Sequence, residues 1–293
     1  MRSYAREAVF MDSIRDVDIL RENADVLHEN IRRNTQLCNG LIREITRSFL
    51  SQNAHTDPVT WYKSAMTDNL CTPEFAQYCL DICKEAHPFS PEDFLPESVR
   101  IGDPPALCRV SYQKNNYSDR AFSRFFGELD DAEAVFLPTT ASVCEDVYYG
   151  RCTHCILPIY SSQDGILTTF TKMIEKYDLT IHAVCNVTIS DNDSFMRFAL
   201  LRHEPALPST DPCYVQFNVV LPQSITIGRL LHACETFDSY VSEIISYPLA
   251  YTTEGISYTI RLRVPLDNLT ALMMFLRSIL DNYSLEGVFT MIQ

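Results

Sequence analysis

Apolar residues fall at Phe10, Ile14, Val17, Leu20, Ala24, Leu27, Ile31, Cys38, Leu41, Ile45 and Phe49, with Asn34 in the same stripe. Steps of three and four place them all on one helical face. No proline interrupts the first fifty residues, so a single helix of about 60 Å is predicted. A helix that long cannot bury its stripe on itself and calls for partner helices or a second subunit. Shorter helices are predicted near 57–67 and 72–86, the second with Thr72 and Pro73 as cap and first turn.

The pattern changes after HPFSPEDFLPESVRIGDPP (87–105), whose five prolines read as a linker. Strands are predicted at 108–112, 134–138, 155–159, 179–187 and 195–203, with helical spacing at 119–127 and 168–177. Alternation of this kind argues for a parallel or mixed sheet. EPALPSTDP (204–212) reads as a second linker. Beyond it come strand 213–221, helix 224–237, strands 240–249 and 257–265, helix 266–283 and strand 285–292. That is a β-α-β-β-α-β unit of ferredoxin-like order. In its second helix Leu269, Leu272, Met273, Leu276, Ile279 and Leu280 form one apolar face.

Composition narrows the function. A net charge of −14 and the lack of a Lys/Arg cluster argue against nucleic acid and anionic membranes. No apolar run approaches a membrane span, and the start, MRSYAREAVFMDSIRD, has no signal-peptide core, so a cytoplasmic protein is expected. Eleven cysteines then read as reduced core residues. Cys152-Thr-His-Cys155 has no second pair at zinc-ribbon spacing, so no metal is expected. With 8 glycines and neither G-x-G-x-x-G nor a P-loop, no cofactor is expected either.

The stretch VCEDVYYGRCTHCILPIYSSQDGILTTFTKMI (143–174) resembles the prephenate dehydratase family. Val147, Gly150, Pro158, Ile159, Ser162 and Gly165 stand where that family's pattern places them. Asn115-Asn116-Tyr117-Ser118 takes the place of its Gly-Thr-Phe-Ser, and Met196-Arg197-Phe198 that of its Thr-Arg-Phe. The terminal unit resembles an ACT domain, with Gln223-Ser224-Ile225 at the place of Gly-Ala-Leu and Ile245-Ser246-Tyr247-Pro248 at that of Glu-Ser-Arg-Pro. Leu20-Arg21-Glu22 resembles the first helix of a chorismate mutase. The whole order therefore resembles the bifunctional chorismate mutase–prephenate dehydratases. It implies a helical segment (1–90), a truncated α/β dehydratase-like domain (100–204) and an ACT domain (212–293).

The departures bear on chemistry. Loss of a hydroxyl from prephenate needs a proton donor, and Met196 carries none where the family has threonine. Tyr160-Ser161 replaces the family's Glu-Asn. Between Ile174 and Met196 there is room for one strand and a turn, not the family's second lobe. The resemblance leaves Ser118, Ser162 and Arg197 as dehydratase residues if the chain is active. Arg21 serves a mutase site, with Arg32, Arg33, Arg43 and Arg47 as alternatives in another register. A ligand at the ACT unit would meet Gln223, Ser224, Ile225, Ser246, Tyr247 and Pro248. The expected function is a catalytically degenerate, ligand-sensing dimer linked to phenylalanine biosynthesis, paired through the ACT unit and the long helix. Its expected ligand is an aromatic amino acid or prephenate. The alternatives are an active dehydratase or mutase, and a helix-mediated scaffold.

Overall fold

The computed structural model describes residues 2–52, 71–86, 89–95, 107–127, 132–188, 194–248, 256–280 and 283–292. The helix expected near 57–67 lies outside them. The chain divides into two compact units, 1–67 and 68–293.

The first unit contains α1 (Arg2–Gln52), an unbroken helix over the predicted stripe. Val17, Leu20, Leu27, Ile31 and Leu41 are each 60–68% exposed within the chain. From Val17 to Leu41 the stripe steps 3-4-3-4-3-4-3, the a/d spacing of a coiled coil. Arg21 is exposed on this helix, and Arg32 forms an exposed pair with Glu29 at 3.0 Å.

The second unit is built on one sheet in the order β2-β1-β3-β6-β5-β10-β7-β9-β8, with the short β4 on β3. Its first half comprises β1 (Cys108–Tyr112), α3 (Asn116–Phe126), β2 (Ala132–Phe136), α4 (Thr140–Tyr148), β3 (His154–Ser161), β4 (Gly165–Ile166), α5 (Thr168–Tyr177), β5 (Thr180–Thr188) and β6 (Phe195–Arg202). The helix α2 (Pro73–Ala86) precedes it. One sheet face packs on α3 through Ala121 and Phe126. The other packs on α4 and α5 through Val143, Val147, Phe170 and Ile174. Between α5 and β6 the described residues hold the single strand β5.

The second half comprises β7 (Cys213–Val220), α6 (Ile227–Cys234), β8 (Tyr240–Pro248), β9 (Ile256–Val264), α7 (Leu266–Ile279) and β10 (Tyr283–Ile292). Its order β10-β7-β9-β8, antiparallel throughout, is the ferredoxin-like arrangement. The helix expected to reach residue 283 stops at Ile279, because Tyr283 already pairs with Val219 in the sheet. α7 is buried on nearly every side. The sheet covers one face and α2 the other: Phe75 lies 5.9 Å from Phe275, and the Cys83 thiol lies 3.8 Å from Met274 Sδ. The helix predicted at 72–86 therefore forms part of the larger unit. The predicted linker contributes a 3-10 turn (Pro91–Phe94), whose Leu95 carbonyl accepts from Arg277 at 2.6 Å.

The two halves meet where β10 runs parallel to β5, with Gly287 opposite Ile181. Both halves thus share one hydrogen-bonded sheet.

On the α3 face, His154 of β3 and His182 of β5 have rings 5.5 Å apart, close to buried Arg202. Burial, then the His182 and Arg202 charges, lower the His154 pKa to about 3; His182 is lowered by burial and Arg202. The unfolded chain takes up these protons near pH 6.5, the folded chain only far below it. Stability is therefore full above about pH 6.5 and falls as pH drops toward 3, by about 2 kcal/mol between pH 6.5 and 5. Urea midpoints at pH 7.5 and 5.0 measure the loss. In His154→Phe the loss should shrink; an unchanged loss would assign it to other groups.

Candidate functional site

β1, β2 and β3 are parallel, and β1 lies between the other two. The connection from β1 runs to β2 on one side, while β3 lies on the other. Their carboxyl ends therefore flank a topological switch point, where open α/β sheets form crevices.

The loop after β1 is fixed by its own polar groups. Asn115 caps α3, its Oδ1 accepting from the Tyr117 and Ser118 amides at 3.0 and 2.9 Å. Gln113 donates to the Pro138 carbonyl at 2.8 Å and accepts from Thr140 at 3.0 Å, which clamps this loop to the one after β2. The Tyr112 hydroxyl donates to Asp119 at 3.0 Å.

Beside this loop lies a partly open cavity of about 200 Å³. Gln113, Asn115, Tyr117 and Ser118 form one side; Ile156, Leu157, Pro158, Met196 and Phe198 form the other. Ser118 is 4% exposed, and its Oγ makes no hydrogen bond among the described residues. No Lys, Arg or His lines the cavity among those residues. Lys114 sits 4.5 Å over the Phe136 ring, and Arg120 donates to the Thr188 carbonyl at 2.7 Å.

The structure brings Ser118 and Met196 together here and places Ser162 and Arg197 elsewhere. Ser162 pins the loop after β3 to the start of β6: its amide donates to the Phe195 carbonyl and its Oγ accepts from the Phe195 amide, both at 3.0 Å. Ser161 is buried and holds the turn through Asp164 and the amides of Gln163 and Asp164. Gly165 follows at φ +76°, a backbone that favours glycine. Arg197 lies on the opposite sheet face from Met196. Its Nε donates to Asn186 at 3.1 Å and its guanidinium lies 5.2 Å from the Tyr160 ring. Tyr160 reaches that face because a bulge separates it from Pro158.

Arg197 instead faces the seam between the two halves. Gln216 of β7, Thr259 and Arg261 of β9 and Glu286 of β10 are buried there, next to Glu243 of β8. Arg261 pairs with Glu243 at 2.7 Å and donates to Gln216 at 2.6 Å. Gln216 and Asn218 donate to the two Glu286 oxygens at 2.5 and 2.7 Å, and Thr259 donates to Asn218. Burial raises the Glu286 pKa; the Gln216 and Asn218 donors and the Arg261 charge oppose it. Phe170 and Thr171 of α5 border the same space. Nothing in the sequence marked this network, because its members lie on four strands.

The ACT-like positions divide. Val220, Ser257 and Tyr247 share one row at the sheet end from which Gln223, Ser224 and Ile225 follow, and Pro248 ends β8. Gln223, Ser224 and Ser246 are exposed. Tyr247 turns inward, where burial raises its pKa and Thr171 hydrogen-bonds its hydroxyl. Cys155 is fully buried in the core, and burial holds its thiol well above the ordinary value. Burial and then Asp146 raise that of Cys152. Neither thiol is a ready nucleophile.

No protein-family model and no curated protein matches the chain. Solved structures do. The prephenate dehydratase of Streptococcus mutans is 18% identical, with a TM-score of 0.50 over 64% of this chain and 100% of that one. GqqA, described as a novel type of quorum quenching acylase, is 17% identical, with a TM-score of 0.48 over 62% and 94%. The prephenate dehydratase of Arthrobacter aurescens, solved with L-Phe, is 15% identical, with a TM-score of 0.47 over 62% and 90%. The likeness to the Streptococcus mutans enzyme is one of fold: residues of this chain form a prephenate-dehydratase-like α/β structure.

Proposed function

We propose that this chain is a catalytically degenerate relative of the prephenate dehydratases. It binds a small ligand at the switch-point cavity and acts as a ligand-responsive dimer linked to aromatic amino-acid metabolism. The chemistry of the cavity carries this reading. Prephenate is a dianion whose hydroxyl must leave with a proton. The cavity offers the Met196 thioether and an uncharged Ser118, while Arg197 is held on the other sheet face. A dianion placed there would lose hydration with no cation among the described lining residues to replace it. The ferredoxin-like half supports an ACT-like regulatory role through its strand order and the shared row of Tyr247 with the end of β7. The exposed heptads of α1 support pairing with a second copy through that helix.

One sample of purified protein tests both parts. No prephenate turnover is expected, and sedimentation equilibrium is expected to give a dimer that Leu27→Lys/Ile31→Lys converts to monomer. Turnover at an enzyme-like rate would overturn the degenerate reading, and a wild-type monomer would overturn the pairing.

A further inference from the structure

The cavity that holds Ser118 also restricts what can enter it. Its volume of about 200 Å³ exceeds the roughly 150 Å³ of an apolar cavity that takes benzene, by about one small substituent. Ile156, Pro158, Met196 and Phe198 give it an apolar wall. The opposite wall presents Ser118, whose hydroxyl makes no hydrogen bond among the described residues, while Gln113 and Asn115 spend their amides on the surrounding loops. Facing the cavity, that hydroxyl is free to hydrogen-bond one well-placed polar group on a ligand. A carboxylate or phosphate would lose water there with no guanidinium or ammonium facing it among the described residues.

We propose that this cavity takes a neutral, single-ring molecule with one hydroxyl or carbonyl group, the ring against Met196 and Phe198 and the polar group on Ser118 Oγ. This rests on the non-catalytic reading above and narrows it, since it excludes dianionic acids as occupants. The ligand is a neutral aromatic alcohol, phenol or aldehyde.

The test uses full-length protein carrying 13C-methyl methionine, with the Met196 resonance assigned by its loss in Met196→Leu. Phenol and benzyl alcohol should shift the Met196 methyl saturably through the ring current, and benzoate at equal concentration should not. Ser118→Ala should raise the phenol Kd roughly five-fold, the value of one hydrogen bond. Ile156→Phe, which fills the cavity and keeps the probe, should abolish the shift; the other methionine methyls report whether it folds, and Ser118→Ala stands if it does not. Benzoate binding as well as phenol would overturn the proposal, as would no shift from any neutral ring, or shifts indifferent to both variants. These outcomes are independent of prephenate turnover, so the two readings fail separately.

Discussion

Gly287→Ala is expected to cost the larger unit about 3 kcal/mol or more. A Cβ on Gly287 would lie 2.4 Å from the Ile181 carbonyl oxygen and 2.9 Å from the Ile181 nitrogen and Cβ. The oxygen and nitrogen belong to the backbone of the neighbouring strand and the Cβ is fixed by it, so no rotamer change relieves the clash. β10 cannot retreat either, because Gly287 also pairs with Gln216 on its other side. Overpacking typically costs about 1–3 kcal/mol and more where the surroundings are rigid. In a unit of this size a loss of that order lowers Tm by roughly 8 °C. Gly228→Ala is the control: its Cβ would meet nothing within 4 Å, and alanine in α6 should stabilise by about 0.5 kcal/mol. A Gly287→Ala protein melting like wild type would mean that β5 and β10 are not paired.

Arg261→Met should cost about 3–4 kcal/mol at pH 8, because removing one partner leaves the others buried and uncompensated. Arg261 is 4% exposed and binds both Glu243 and Gln216, and its charge lowers the Glu286 pKa against burial. Without it, the Glu286 carboxyl rises further above the ordinary value of 4.5. A carboxyl raised in the folded state costs stability at high pH, and the cost is relieved as pH falls and the folded form takes up its proton. The deficit of the variant should therefore narrow between pH 8 and pH 5.5, against the wild-type trend set by His154 and His182. Denaturant midpoints of both proteins at the two pH values decide it. A deficit that is constant with pH would mean that Glu286 does not sense Arg261.

The ferredoxin-like half was legible because its signals are local: long alternating strands, and a run from Leu266 whose apolar residues recur every three or four positions. α4 carries little periodic signal, because its nine residues hold only Val143, Cys144 and Val147 as a buried apolar face. The site was half legible. Ser118 and Met196 line one cavity, each at a strand end or helix start near the switch point. Arg197 does not join them. A strand alternates faces, so Arg197 must oppose Met196, and the bulge before Tyr160 then gives it an aromatic partner on that side. A linear motif records neither the face nor the bulge. The seam network is invisible for a related reason: Gln216 and Glu286 are brought together only by the pairing of β7 with β10.

The pairing of β5 with β10 also sets a timetable for the nascent chain. About 100 residues separate the two strands, and at about 5–20 residues per second β5 waits on the order of ten seconds for its neighbour. During that interval its hydrogen-bonding edge, flanked by Val184 and Val187, is open to any strand nearby. A ribosome stalled between the two strands would hold out a half-sheet with a sticky margin. That exposure is thus confined to the synthesis of residues 189–282.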